Sequence, residues 1–274
     1  MASFEYRGPI RLVVFDWAGT TVDHGCFAPV VPFVDAFAAE GIEISLATAR
    51  GPMGLHKKDH VRTLGRLPEV SAKWQQQHGR AFEETDVERM YARLLEPEVT
   101  QTIAERSSLI DETLPAVEQL RSRGIKIGAT TGYFREAAEP VAARAAEAGF
   151  QPDLSLCVDD VPAGRPAPWG IFRTMQELEV FPPAAVVKVG DTVPDIGEGR
   201  NAGAWSVGVT RTGNEVGLTA TEFAELRGDR KRGLLATAEA KLREAGAHFV
   251  VESVADVPKL VQRIEHMLSG GQRP

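Results

Sequence analysis

Short apolar runs, each closed by a polar or glycine-bearing turn, recur along the chain and limit what it can fold into. Residues 11–15 read RLVVF and stop at Asp16, and residues 126–130 read KIGAT and stop at Thr131-Gly132. Residues 154–158 (LSLCV) stop at Asp159-Asp160, and residues 185–189 (AVVKV) at Gly190-Asp191. Residues 205–209 and 248–251 add two more runs. Runs that are apolar throughout, without alternation, suit strands buried on both faces. Helix-patterned stretches lie between them at 114–123, 135–148 and 169–178, with a shorter one at 194–202 ahead of Gly203. That alternation implies right-handed crossovers, and so an α/β fold with a Rossmann-like parallel sheet and helices on both faces. Ligands of such sheets bind beyond the carboxyl ends of the strands, where Asp16, Thr131, Asp159 and Asp191 all fall.

One stretch breaks the pattern. From Cys26 to Ile103 the spacing is helical only, with apolar stripes at 31–37, 61–67 and 87–95 and turn signals at Gly41, Gly51-Pro52 and Gly79. Two units are expected: a core of residues 1–25 and 104–274, and a small helical cap, residues 26–103, over the strand ends. Composition adds limits. The 274 residues are 43% hydrophobic and 25% charged, ordinary for a globular chain. A formal charge of −7 disfavours a nucleic-acid partner. No apolar run approaches the ~18 residues of a membrane span. Residues 1–9 lack the pattern of a secretory signal. Two cysteines, Cys26 and Cys157, form neither a disulfide framework nor a zinc-spaced cluster, so a reducing, cytoplasmic setting is expected. Residues 269–274, small and polar, suggest a loose tail.

The strand ends carry the chemistry. Asp16 opens the turn Asp16-Trp17-Ala18-Gly19-Thr20-Thr21, where a carboxylate can attack phosphorus and backbone N–H groups can hold phosphate oxygens. Thr131-Gly132 offers a hydroxyl and a bare N–H. Arg165, in the stiff Gly164-Arg165-Pro166-Ala167-Pro168 loop, offers a planar fork for phosphate. Asp191 and Asp195, four apart, could hold Mg²⁺ directly or through water, since that ion takes one or two carboxylates plus phosphate oxygens. Taken singly, each has a plainer reading: a turn-capping Asp, a strand-to-helix turn, a surface ion pair, an N-cap with a first-turn acid. Those plain readings do not account for all four in this order.

Asp16, Thr131, Arg165 and Asp191 in sequence resemble the four motifs of the haloacid dehalogenase superfamily. The resemblance covers most of the chain outside the insertion. It implies Asp16 as nucleophile and Mg²⁺ bridging it to the phosphate. Phosphatases and mutases of that superfamily usually carry a second Asp two residues on, as acid for the leaving oxygen. Here Ala18 stands there, able to offer the metal only its carbonyl. Residues 16–23, DWAGTTVD, look like the signature of the phosphonoacetaldehyde hydrolases, which share this Ala.

Residues 52–61, PMGLHKKDHV, are similar to the same family's cap motif, which uses a lysine. A carbon leaving group needs an electron sink, and an imine between a lysine and the aldehyde supplies one. Lys57 shares a helical stripe with Val61 and Leu64, whereas Lys58 shares a polar one with Arg62 and Arg66. Burial and the neighbouring cation are expected to lower the Lys57 pKa, and His60 can face it as acid or base. Two solvated surface lysines would be the ordinary alternative; Ala18 tilts against it. Met53, Tyr133 and Cys26 resemble family residues near the substrate, although each residue type more often packs. Trp17 is expected to pack.

The resemblance implies a Mg²⁺-dependent hydrolase that converts phosphonoacetaldehyde and water into acetaldehyde and phosphate. It also implies a homodimer formed through the caps, for which the apolar segment 27–37 is the expected contact. The alternatives are a phosphatase acting on a small phosphate ester and a silent phosphate-binding module on the same fold.

Overall fold

The computed structural model describes residues 5–274; the first four residues of the 1–9 stretch lie outside them. The strands are β1 (Leu12–Phe15), β2 (Lys126–Thr130), β3 (Leu154–Leu156), β4 (Val186–Gly190), β5 (Trp205–Val209) and β6 (Phe249–Val251). They form one parallel sheet in the order β3-β2-β1-β4-β5-β6. β1 is therefore central, with Val13 registered against Ile127 on one side and Val187 on the other. Alternate β1 side chains enter different cores. Val13 and Phe15 join the larger cluster, while Leu12 and Val14 pack with Ile171 and Met175. Burial on both faces is why the run is apolar throughout.

β3 is shorter than its apolar run. The Asp160 carboxylate accepts the Cys157 N–H at 2.8 Å and turns the chain into a 3₁₀ segment, Val158–Asp160. Asp159, expected among the strand-end groups, instead accepts the Arg135 N–H at 2.8 Å on the flank of the sheet. It does not join the other three.

Six helices follow β1: α1 (Val31–Ala39), α2 (Leu46–Arg50), α3 (Lys57–Arg66), α4 (Pro68–His78), α5 (Glu84–Leu94) and α6 (Pro97–Arg106). The last runs past the expected edge at Ile103 and stops where the Ser107 hydroxyl donates to the Ile103 carbonyl at 2.8 Å. It packs on a core helix, so the helical segment is anchored there. The remaining helices are α7 (Thr113–Arg121), α8 (Arg135–Glu147), α9 (Trp169–Glu177), α10 (Val193–Asn201), α11 (Ala220–Glu225), α12 (Gly228–Glu244) and α13 (Val257–Ser269). α8 is the one that α6 meets. No described helix is long and apolar enough to cross a membrane.

The two crossings between sheet and insertion are bonded to each other. The Asp23 N–H donates to the Ser108 carbonyl at 2.8 Å, and the Asp23 carboxylate accepts the Ala28 N–H at 2.7 Å. Trp17 packs, edge-on against Phe150. The tail is tied rather than loose at its start, with Gly271 and Gln272 N–H groups donating to the Leu268 and Met267 carbonyls. Phe33 and Phe37 of the 27–37 segment are buried within the protomer, so they offer no surface to a second copy.

Candidate active site

The strand order reverses beside β1, with β2 and β3 on one side and β4 to β6 on the other. A crevice opens at such a switch point, and β1 and β4 each end in a carboxylate there. Asp16 is fixed by its N–H to the Val189 carbonyl at 2.8 Å, and its own carbonyl accepts the Thr21 hydroxyl at 2.9 Å. Gly19 takes φ +79°, and a Cβ on it would sit 2.3 Å from Asp191 Oδ2. Only glycine lets the β1 turn lie against the β4 carboxylate. Asp191 Oδ2 also accepts the Asn214 N–H at 2.7 Å, and Oδ1 the Thr20 hydroxyl at 3.2 Å.

Arg165 joins the strand ends. Its Nη2 donates to Asp16 Oδ1 and to the Thr130 carbonyl, each at 2.5 Å, while Nη1 lies 2.6 Å from Asp195 Oδ1. Two further buried charges were not expected. Lys188 Nζ bonds the Thr130 hydroxyl at 2.8 Å and lies 3.0 Å from Asp195 and 3.1 Å from Glu198. A polar residue inside the AVVKV run was the available signal for Lys188; Glu198 and Asn214 had none.

Asp195 is committed to protein groups. Its Oδ1 faces the two cations, and its Oδ2 accepts the Thr192 hydroxyl at 2.5 Å. Burial opposes its charge, but Arg165 and Lys188 prevail and hold its carboxyl below the usual range. Burial pushes the Asp16 carboxyl up against the pull of Arg165. It pushes Asp191 well up, reinforced by the charges of Asp16 and Asp195. Oxygens of these three carboxylates lie within 4.8 Å of one another. Fully ionised, the four acids Asp16, Asp191, Asp195 and Glu198 exceed the two cations Arg165 and Lys188 by two charges. A buried excess of two negative charges fits a divalent cation held by hard oxygen ligands.

The insertion supplies a different environment. Lys57 opens α3 and is buried, with Nζ 4.0 Å from Met53 Sδ and 5.2 and 5.6 Å from the ring centres of Tyr133 and Phe33. Among the described residues it forms no ion pair. Burial brings its pKa down to about 8, the opposing influence of Cys26 and Asp16 notwithstanding. The contributing cation is Arg165, not the expected neighbour Lys58, which turns outward and pairs with Glu88. His60 is also placed differently. Its ring stacks on Phe33 at 3.7 Å, and its Nε2 bonds the Ala49 carbonyl at 2.8 Å. Burial, with the Lys57 charge beside it, drops its pKa to about 3, so it holds no imidazolium proton to give near neutrality.

Core and insertion meet around one small cavity. From the core it is lined by Asp16, Ala18, Thr131, Gly132, Tyr133 and Arg165, and from the insertion by Cys26, Met53 and Lys57. Cys26 is a free thiol whose pKa burial drives well up. The cavity measures about 20 Å³, room for roughly one water. A Cβ on Gly132 would lie 3.2 Å from the Leu55 carbonyl, so the insertion rests directly on the Thr131-Gly132 turn. A larger cleft of about 790 Å³ beside Asp23 and His24 gathers none of these groups apart from the crossing residues themselves, and volume there does not mark chemistry.

Residues 10–203 match the family model of haloacid dehalogenase-like hydrolases. A phosphonoacetaldehyde hydrolase from Syntrophobacter fumaroxidans is 48% identical over 98% of this chain and 97% of its own. One from Vibrio cholerae is 43% identical over 98% and 99%. The crystal structure of a phosphonoacetaldehyde hydrolase-like protein from Oleispira antarctica superposes with a TM-score of 0.97 at 38% identity, covering 100% of this chain and 99% of that one. With its strand-end carboxylates, its Ala18 and these relatives, the chain belongs to the haloacid dehalogenase-like hydrolases, in the phosphonoacetaldehyde hydrolase family.

Proposed function

We propose that this protein hydrolyses the carbon–phosphorus bond of phosphonoacetaldehyde, giving acetaldehyde and phosphate. The observation that carries the reading is Lys57, a buried amine without an ion-pair partner that faces the same cavity as Asp16. A pKa of about 8 leaves a useful fraction of free amine near neutrality. Lys57 condenses with the aldehyde and releases water. Asp16 then attacks phosphorus; the C–P bond breaks and its electron pair flows into the N-protonated imine, giving a neutral enamine. The carbon takes a proton, water releases acetaldehyde from Lys57, and a second water frees phosphate from Asp16. One water is consumed overall.

Arg165 and the Thr131-Gly132 turn hold the phosphonate oxygens, and the insertion excludes bulk water. In this reading Asp16, Asp191 and the Ala18 carbonyl hold Mg²⁺, with Asp195 keeping Arg165 and Lys188 in place. The ion, when bound, offsets charge on the phosphoryl oxygens. Residues 26–103 act as the cap. Cytoplasmic function accords with two unpaired, buried cysteines. A homodimer through the caps would use the groove of about 200 Å³ between α1 and α5–α6, where Val31, Pro32 and Leu94 are apolar.

Borohydride reduces an imine to a stable secondary amine, so treatment with substrate present is expected to inactivate the enzyme and mark Lys57 by peptide mass mapping. Lys57→Arg is expected to abolish acetaldehyde release, since a guanidinium stays protonated. Labelling elsewhere refutes the assignment of Lys57. No label, with Lys57→Arg still releasing acetaldehyde, refutes the imine. Turnover of a phosphate ester alone would favour an ordinary phosphatase.

A further inference from the structure

A cavity of about 20 Å³ cannot admit the substrate, so the structure is of a closed form and the insertion must lift and reseat. One set of the contacts that seat it runs through Arg50, at the end of α2, three residues before Met53. Arg50 Nη1 donates to Asn214 Oδ1 and to the Cys26 carbonyl, each at 3.2 Å, and Nη2 to the Gly217 carbonyl at 3.4 Å. Its guanidinium lies 4.6 Å from the centre of the Phe27 ring. The pairing with Asn214 is reciprocal, because Asn214 Nδ2 donates to the Arg50 carbonyl at 3.3 Å. That same carbonyl accepts the Met53 N–H at 3.1 Å, and Lys57 Nζ reaches Met53 Sδ. At its other end Asn214 gives its backbone N–H to Asp191 at 2.7 Å. A continuous series of bonds thus joins the β4 carboxylate to the loop that leads into α3 and its Lys57 amine.

We propose that Arg50 and Asn214 are positioning residues: they latch the segment from Met53 to Lys57 onto the Asp191 end of the core and so hold the Lys57 amine over Asp16. The proposal rests on the reading of Lys57 given above. Neither residue lines the cavity, and neither touches the reacting atoms. The three bonds that the Arg50 guanidinium donates and the one that Asn214 returns, at 3.2–3.4 Å, are all longer than a strong charge-assisted bond, which suits a contact that opens in each cycle. The pair borders an open cleft of about 370 Å³ with Glu215 and Lys241, which gives water a route into the space a truncated side chain leaves.

The test is a cycle of Arg50→Ala, Asn214→Ala and the double variant in the full-length protein with Mg²⁺. Asn214→Ala keeps the backbone N–H that Asp191 accepts. Each single variant is expected to lower kcat about tenfold, equivalent to about 1.4 kcal/mol. Inhibition by orthophosphate, which needs only the core groups, is expected to change less than twofold. Amide hydrogen exchange across residues 51–57 is expected to accelerate at least fivefold, without a matching rise in the sheet. The double variant is expected to lie within twofold of the worse single, because one latch is broken either way. Independent, multiplying effects overturn the proposal. So does unchanged kcat in folded variants, or acceleration of exchange spread evenly through the chain. Failure of the imine reading is separate: the unaltered protein would then escape borohydride labelling, while exchange and coupling would still report on the latch.

Discussion

Two buried lysines divide this molecule into two kinds of polar environment. Lys188, on the central sheet, meets Asp195, Glu198 and the Thr130 hydroxyl within 3.1 Å. Lys57, on the insertion, meets a thioether and two aromatic rings. The core therefore pairs its cations with carboxylates and keeps an excess of negative charge, whereas the insertion presents an amine that its burial prefers neutral. A charged nucleophile and a free amine can coexist on either side of one cavity because burial outweighs the pull of Asp16 on the Lys57 amine and Arg165 acts in the same direction as burial.

The largest effect expected is on the core side. Asp16→Asn keeps the volume of the side chain and leaves Arg165 paired with Asp195, so the fold is retained. The amide cannot attack phosphorus, and turnover is expected to fall by at least about a thousandfold. A folded Asp16→Asn protein with near-normal activity would remove the covalent route and leave the core as scaffold only.

Stability separates the two lysines more sharply. Lys188→Met leaves Asp195 and Glu198 short of a partner and is expected to cost about 3–5 kcal/mol in denaturant unfolding. Lys57→Met removes a buried amine from apolar company, and is expected to raise stability while abolishing turnover. The sign with pH is defined. Lys57 goes from about 8 in the folded chain to 10.5 unfolded, so between these values the unfolded chain binds more protons and stability rises with pH. The gain from Lys57→Met, on the order of 3 kcal/mol, should be full below pH ~8 and vanish towards ~10.5. Equal losses from both substitutions would erase the contrast between the regions.

Metal dependence probes the excess of two negative charges in the core. Mg²⁺ at about a hundredfold its Kd is expected to add about 2.7 kcal/mol to stability. A chelator is expected to abolish turnover. Asp191→Ala is expected to raise the Mg²⁺ concentration for half-maximal activity at least about tenfold, because the site has few carboxylates to lose. Full activity in excess chelator would show that the excess charge is met by protons alone.

How much of this was legible in the chain follows from the same contrast. The central strands were readable because burial on both faces leaves no polar position to blur the run. The strand ends gathered Asp16, Thr131 and Asp191 because a parallel sheet aligns them. Asp159 misled because an identical turn signal here serves the Arg135 N–H, a local bond that no periodicity distinguishes. Lys188 and Glu198 find each other across a strand and a helix ten positions apart, a pairing visible only once α10 folds back on β4. In the insertion, the stripe through Lys57, Val61 and Leu64 marked the buried face of α3. The stacking of His60 on Phe33 depends on how α1 crosses α3, and sequence spacing carries no record of it. Helix α12 buries only Ala238 and Leu242, which leaves almost no stripe to read.

The smallest effect expected belongs to the residue next to the amine. Lys58 follows Lys57 in α3, yet about 100° of helical rotation puts it on the outer face, partly exposed and paired with Glu88 of α5. Its head is solvated and its partner more exposed still, so the pair gains little over separate hydration and is screened by salt. Lys58→Ala is expected to cost no more than about 0.5 kcal/mol in stability. Activity should stay within twofold, and the pH at which turnover rises should not move, because Lys58 is not among the charges that set the Lys57 value. Steady-state assays between pH 6.5 and 9.5 on Lys58→Ala and the unaltered protein would decide this. A shift of the profile by half a unit or more would mean that the outer face of α3 does reach the amine. The amine would then be set by a charge of its own helix in addition to burial and to the groups across the cavity.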